Sequence, residues 1–169
     1  MITPERQYFN EVVLPEFIKN FVKQGDKVID IGKPNEGWGY RQMLEKASAI
    51  YLTLDRNKAL QPDIWCDLGK ENLVDVFDYV ICHGVMEQCD NPFKLVDGIK
   101  KILKVDGFAL FGIMSTGFPL IQDLDLWRFT PQGVGRLLKI FSIVDFDASQ
   151  SRDGTIPSYI YVVIKNEPN

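Results

Sequence analysis

The fold of this chain is decided by the stretch Lys27-Val28-Ile29-Asp30-Ile31-Gly32-Lys33-Pro34-Asn35-Glu36-Gly37-Trp38-Gly39. Val28, Ile29 and Ile31 are apolar and β-branched, and such a short, nearly all apolar run is typical of a strand that is covered on both faces of a sheet. The glycines and the proline that follow predict a loop, and apolar residues at helical spacing begin at Tyr40. A strand, a glycine-bearing loop and a helix in this order form a ligand crevice in an open α/β sheet.

The length and the composition limit the classes of protein that the sequence fits. A chain of 169 residues predicts one domain, with an N-terminal helical segment at 1–24 and a core at 25–165. The net charge of −4 at pH 7 disfavours nucleic acid as a partner. No apolar run reaches the length of a membrane-spanning helix, so we expect no membrane partner.

The cysteines and the histidine argue against a metal site. Three cysteines and one histidine occur without any zinc-ligand spacing, so the sequence predicts no bound metal. The odd number of cysteines, with no pattern of a secretion signal at the start, predicts a cytoplasmic location.

Apolar runs after the first strand predict a sheet of about seven strands. The predicted strands are 28–31, 49–55, 62–65, 77–82, 108–114, 141–146 and 159–164, and the predicted helices are 3–23, 40–47, 92–104 and 130–138. Pro15 is expected to divide or kink the first helix, and Asp106-Gly107 is expected to form a turn. The last two strands adjoin without a helix, so we expect them to pair antiparallel in a mixed sheet.

Five short stretches carry a resemblance to a known family. They are Val28 to Gly32, Leu54-Asp55, Phe77 to Gln88, Pro92 to Gly107, and Trp127-Arg128-Phe129-Thr130-Pro131. Together they resemble the class I S-adenosylmethionine-dependent methyltransferases, in particular the small, methyltransferase type 11-like members. The resemblance implies an α/β fold: a three-layer, Rossmann-like, mixed seven-stranded sheet in the order 3-2-1-4-5-7-6, with an antiparallel terminal hairpin and helices on both faces. It also implies S-adenosyl-L-methionine as the cofactor.

The first loop departs from the pattern of that family. The family's loop usually has the form D-x-G-x-G-x-G, whereas Pro34 stands here at the position of the second glycine, and Gly37 and Gly39 follow later. One interpretation is a longer loop that still holds the cofactor through Gly37 and Gly39. The alternative is a non-catalytic binding or scaffold module with a degraded cofactor site. A nicotinamide-dependent oxidoreductase ranks last, because the loop lacks G-x-G-x-x-G.

Residues at the predicted strand ends are the candidates for cofactor binding. The set is Asp30, Gly32, Gly37, Asp55, Asp67 and His83. Asp55 is positioned to accept hydrogen bonds from ribose hydroxyls, or else it is an acidic residue that starts a turn. Gly32 with Asp30 either admits a ligand to the backbone or serves a tight turn alone. The resemblance places Asp67 near the adenine, and the alternative is a solvated carboxylate in a loop.

His83 and Glu87 are weak candidates for catalysis. The pKa of a histidine near neutrality suits a general base, but His83 is equally expected to pack against the adenosine or to face solvent. Glu87 either positions an amine or hydroxyl of the acceptor or is a surface charge. The methyl acceptor is unidentified, and its expected place is over 84–87 and 115–127. A homodimer or a protein partner would complete a shallow acceptor pocket there.

Overall fold

The computed structural model of the chain describes residues 3–33, 40–68, 73–120, 125–148, 151 and 154–168. The helices are α1 (Pro4–Tyr8), α2 (Leu14–Phe21), α3 (Tyr40–Lys46), α4 (Pro92–Ile102) and α5 (Pro131–Leu137). The strands are β1 (Lys27–Ile31), β2 (Ile50–Asp55), β3 (Ile64–Trp65), β4 (Phe77–His83), β5 (Leu103–Met114), β6 (Ser142–Asp147) and β7 (Tyr159–Lys165). A π-helical turn, Phe9–Val13, joins α1 to α2. Short 3₁₀ turns occupy Lys58–Leu60 and Met86–Gln88.

The seven strands form one sheet in the order β3-β2-β1-β4-β5-β7-β6, which confirms the predicted fold class. Neighbours from β3 to β5 pair in parallel, whereas β7 pairs antiparallel with both β5 and β6. Strand β1 lies in the middle of the parallel part, and its last four residues are buried. The carboxyl ends of β1, β2 and β4 therefore meet at one edge of the sheet.

Two apolar clusters cover the two faces of the sheet. One contains buried residues of α4 and α5, including Val96, Ile99 and Val134. The other contains residues from the N-terminal helices and α3, including Phe17 and Leu44. Helices therefore pack on both faces, and the N-terminal segment lies against the sheet on the side of α3.

The first helix is interrupted before its proline. Thr3 begins the helix as predicted, because its Oγ1 accepts a hydrogen bond from the backbone N–H of Arg6 (3.3 Å). Pro15 has no N–H that could bond to the carbonyl of Glu11. Glu11 lies in the wider π-helical turn that precedes the proline. The predicted interruption is therefore present, but it lies N-terminal to Pro15.

Strand β5 begins earlier than the sequence predicts. The expected turn at Asp106-Gly107 lies inside β5, which starts at Leu103 directly after α4. Asp106 adopts a positive φ of 63°, and its N–H donates to the carbonyl of Asn166 (2.8 Å), so the local distortion keeps its hydrogen bonds. Asp106 and Gly107 therefore form a kink within β5 and do not end it, because the segment after β7 supplies a hydrogen-bond acceptor at Asn166.

The helices of the described ranges are all too short or too polar to cross a lipid bilayer.

Candidate active site

A cavity of about 1180 Å³ lies at the carboxyl ends of β1, β2 and β4. This is the edge at which open α/β sheets bind their ligands. Its walls include Gly32, Asp55, Asp67 and His83, so four of the six predicted cofactor-binding residues line one cavity. Gly37 lies outside the described residues. The cavity is larger than most sites for one small ligand, which usually measure roughly 300–1,000 Å³.

Asp55 is the acidic residue at the end of β2, and it faces the cavity. Its Oδ2 accepts a hydrogen bond from the backbone N–H of Lys33 (2.9 Å), and its Oδ1 accepts one from that of Asn57 (2.7 Å). These bonds fix the carboxylate between the loops that follow β1 and β2. A carboxylate has about four acceptor positions, so roughly two remain for hydroxyl donors from a ligand.

Gly32 has a geometric reason to be glycine. Its φ is +79°, and a Cβ at this position would lie 2.6 Å from Cγ2 of Val85. Its backbone N–H donates to the carbonyl of Leu54 (2.8 Å), which ties the end of β1 to β2. The glycine thus lets the loop after β4 approach β1 closely, and this packing requirement holds whether or not a ligand is bound.

Asp30 does not line the cavity and lies buried beneath its floor, with 2% of its surface exposed. The Tyr51 hydroxyl donates to its Oδ2 (2.7 Å). Burial raises the pKa of Asp30 to about 8, although Tyr51 and the Arg6 guanidinium both act to lower it. The Asp30 side chain is therefore held inside the protein by its hydrogen bond with Tyr51, where burial favours its neutral form.

His83 belongs to an aromatic cluster at the end of β4. Its ring stacks on Phe9 (centroids 4.0 Å apart) and on Tyr159 (5.3 Å), and its Nδ1 lies 3.3 Å from the Tyr40 hydroxyl. Burial holds the pKa of His83 well below its ordinary value, and the nearby Arg6 lowers it further. Exposure of His83 to solvent is wrong, because the ring is buried among protein side chains. Packing against the adenosine stays a prediction.

Asp67 lies exposed on the cavity wall, after Cys66, whose backbone N–H donates to the carbonyl of Asp55 (3.1 Å). The contact of Asp67 with an adenine stays a prediction. Within the described ranges, no group of three or more His, Cys, Asp or Glu side chains is placed to hold a metal ion.

Glu87 is fully buried, so the predicted surface charge is wrong. It is not among the described residues that line the cavity, and its role in positioning an acceptor stays a prediction. Its Oε1 accepts a hydrogen bond from the backbone N–H of Met114, at the end of β5. Its backbone carbonyl accepts from the N–H groups of Leu126 (2.8 Å) and Trp127 (3.1 Å). Glu87 therefore joins the loop after β4 to the chain that follows β5.

Replacement of Glu87 by Gln is expected to change how stability depends on pH. Burial raises the pKa of Glu87 to about 7, so between about pH 4.5 and 7 the folded state binds a proton that the unfolded state has lost. Glu87 alone should therefore lower the free energy of unfolding by up to about 3 kcal/mol as the pH rises through this window.

The measurement is urea unfolding of the parent and Glu87→Gln at pH 5 and pH 8. Gln keeps the acceptor for the Met114 N–H but does not titrate. The difference in the free energy of unfolding between the two proteins therefore reports on Glu87 alone, because both proteins contain Asp30, whose pKa is also raised. A difference that stays constant with pH would contradict the buried position of the carboxyl group.

Three side chains of the site were not predicted from the sequence: Arg6, Tyr40 and Tyr159. Arg6 lines the cavity from α1, and its guanidinium lies 5.7 Å from the centroid of the Tyr40 ring. Tyr159 reaches the cavity from β7, where its hydroxyl lies near Gly84. The sequence predicts a helix at 3–23 and a strand at 159–164. It does not predict where these segments pack on the sheet, and so it does not show that their side chains reach the cavity.

The comparison with solved structures identifies the class of fold. The chain is similar to the 1,6-didemethyltoxoflavin-N1-methyltransferase of Burkholderia thailandensis, whose structure contains S-adenosylhomocysteine (TM-score 0.73, 13% identity, 98% of this chain and 79% of that chain covered). It is also similar to a chain of the complex between the Haloferax volcanii Trm112 methyltransferase activator and a putative methyltransferase (TM-score 0.71, 12% identity, coverage 97% and 94%). The fold is therefore that of the class I, Rossmann-like methyltransferases.

A third structure with a similar fold belongs to a protein with a different reaction. The [4+2]-cyclase SpnF has a TM-score of 0.75 at 12% identity, with 96% of this chain and 83% of that chain covered. One fold thus serves different reactions, and at these identities the likeness defines the architecture alone. No protein-family model matches the sequence, and no curated protein matches it significantly.

Proposed function

We propose that this chain is an S-adenosylmethionine-dependent methyltransferase and that its 169 residues act as one domain. The observation that carries the proposal is the carboxylate of Asp55, fixed by two backbone N–H groups at the end of β2 and facing the cavity. A carboxylate there suits two adjacent hydroxyls of a ribose. The methyltransferase fold and the wide cavity support the same cofactor.

The residues on this side of the cavity fit an adenosyl group. Gly32 lines the cavity at the end of β1, while Leu60 and Leu68 offer apolar surface for a planar base. Asp67 follows β3 on the same wall. In this proposal Asp55 binds the ribose and the leucines flank the adenine. Asp30 supports the floor from beneath without contacting the cofactor.

The protein's contribution to the reaction is mainly the alignment of donor and acceptor. Asp55 would hold the cofactor, which when bound would supply a methyl group on a sulfonium to a lone pair of the acceptor, with the electron pair of the carbon–sulfur bond returning to sulfur and any acceptor proton passing to water. Positioning of two reactants can contribute roughly 7–11 kcal/mol to catalysis. His83 is buried and poorly basic, so we assign it no proton transfer.

The partners and the location are part of the proposal. One structural neighbour comes from a complex with a methyltransferase activator, which supports a protein partner as one way to complete the acceptor pocket. Three free cysteines suit a reducing compartment, and we therefore infer a cytoplasmic location.

Titration calorimetry with S-adenosylhomocysteine tests the cofactor assignment. We expect saturable binding of one equivalent, with a dissociation constant in the micromolar range, about −8 kcal/mol. NAD at the same concentration is the matched control and should release no heat. The absence of a binding signal at millimolar S-adenosylhomocysteine would refute the assignment and would favour the non-catalytic binding or scaffold module.

A further inference from the structure

The cavity extends beyond the proposed cofactor site, toward β7. This second part is lined by Thr3, Arg6, His83, Met114, Phe118 and Tyr159. Asp55 lies at the other side, because β2 and β7 are separated in the sheet by β1, β4 and β5. The end of β4 therefore lies between the two parts, and a ligand in the second part would face a cofactor bound in the first.

Aromatic and polarizable side chains form the wall of this second part. Phe118 packs edge-on against Tyr159 (centroids 5.7 Å apart, interplanar angle 85°), and Tyr159 stacks on His83. Met114 closes the same wall at the end of β5. Flat rings and a thioether favour a planar aromatic ligand, because offset-stacked and edge-on contacts contribute beyond the area that is buried.

The charge in this part is positive and partly withdrawn from water. Arg6 is half-buried and acts electrostatically on Tyr40, Tyr159 and Asp30. Burial lowers the pKa of Arg6, but a guanidinium remains charged at neutral pH. The nearby Asp30 carboxyl group does not line the cavity. A ligand anion placed beside Arg6 would therefore meet a strong, partly desolvated partner.

We infer that this second part of the cavity is the acceptor subsite and that it takes a small planar aromatic carboxylate. Arg6 binds the carboxylate, and the ring lies against Phe118 and Tyr159. The inference rests on the proposed function only in calling the ligand an acceptor. The preference for a planar aromatic anion follows from the lining residues themselves.

Binding of three probes to the full chain tests the inference. The probes are 1-naphthoate, its neutral counterpart 1-naphthamide, and the non-planar acid cyclohexanecarboxylate, each titrated with and without saturating S-adenosylhomocysteine. We expect 1-naphthoate to bind about tenfold tighter than either of the others. Equal binding of the three probes, or no binding of 1-naphthoate, would overturn the inference.

The variants Arg6→Gln and Lys94→Gln locate the anion site. Both cations line the cavity, but Lys94 lies on α4, away from the aromatic wall. Arg6→Gln should abolish the preference for naphthoate over naphthamide, and Lys94→Gln should preserve it. If Arg6→Gln does not fold, as judged by circular dichroism, Arg6→Lys replaces it and should retain part of the preference. A naphthoate preference that depends on Lys94 and not on Arg6 would refute the assignment.

Two adenosyl ligands separate this inference from its main competitor, in which Arg6 binds the carboxylate of the cofactor. Methylthioadenosine lacks that carboxylate. If Arg6→Gln weakens the binding of S-adenosylhomocysteine by about tenfold or more but leaves the binding of methylthioadenosine unchanged, Arg6 binds the carboxylate of the cofactor. That result would refute the acceptor assignment. If the parent chain binds neither adenosyl ligand, the proposed function fails, while naphthoate binding in their absence still reports on the Arg6 subsite.

Discussion

Replacement of Asp55 by Ala is expected to weaken the binding of S-adenosylhomocysteine at least about hundredfold. The variant removes the acceptor for two ribose hydroxyls, and each hydrogen bond to a charged group contributes about 1.5–3 kcal/mol. Their sum is about 3 kcal/mol or more, and 1.4 kcal/mol corresponds to a factor of ten in affinity. Titration calorimetry of the folded variant measures the effect directly.

The variant will also lose stability, because Asp55 accepts the N–H groups of Lys33 and Asn57 in the structure. Asp63→Ala is the matched control. Asp63 also lies beside β2 and accepts the backbone N–H of Thr53 (2.8 Å), but it does not line the cavity. Both variants should melt earlier than the parent, and only Asp55→Ala should lose the ligand. Binding by Asp55→Ala within about threefold of the parent would remove Asp55 from the site.

The sheet could be predicted because its signals are local. The run Val28 to Ile31 is apolar except for Asp30 and is buried on both faces, which is typical of a central parallel strand. The hairpin of β6 and β7 followed from the lack of a helix between two strands. Asp55 could be placed at the site because the end of a parallel strand is fixed by the topology, whatever the rest of the chain does.

The contacts of Glu87 and Arg6 could not be predicted in this way. Glu87 is buried because the N–H of Met114, which is 27 residues later, needs an acceptor at the end of β5. Nothing near Glu87 in the sequence indicates that need. Arg6 reaches the cavity because α1 packs on the face of α3, and the helical pattern gives the apolar side of α1 but not its position along the sheet. The position of a side chain that is set by such long-range packing cannot be predicted from a local sequence pattern.

The same reasoning explains why the single histidine was difficult to interpret. A histidine after a strand in an α/β sheet is compatible with catalysis, with ligand contact and with packing. The structure adds what surrounds it: Phe9 on one side, Tyr159 on another, and Gly112 beside it in β5. Gly112 provides the space that the imidazole ring occupies, since a Cβ there would lie 2.1 Å from Cδ2 of His83.

Gly112→Ala is therefore expected to be the most destabilising single change at this site. The added methyl group would overlap the imidazole ring, which cannot move away because it stacks on Phe9 at 4.0 Å. Overpacking of this kind usually costs about 1–3 kcal/mol, and we expect the upper end. For a chain of this length that is a fall in melting temperature of roughly 6–12 °C, measured by calorimetry or circular dichroism.

A double-mutant cycle with His83→Ala identifies the cause. His83→Ala alone leaves a space and should be destabilising, but His83→Ala/Gly112→Ala partly fills that space with the new methyl group. The two changes should therefore be coupled favourably, by about 2 kcal/mol. Equal costs of Gly112→Ala with and without His83 would mean that the ring lies elsewhere. Strong coupling would instead mean that the imidazole is a packed element of the sheet, poorly placed to take a proton from an acceptor. Methyl transfer here would then depend on the alignment of two ligands and not on a basic side chain.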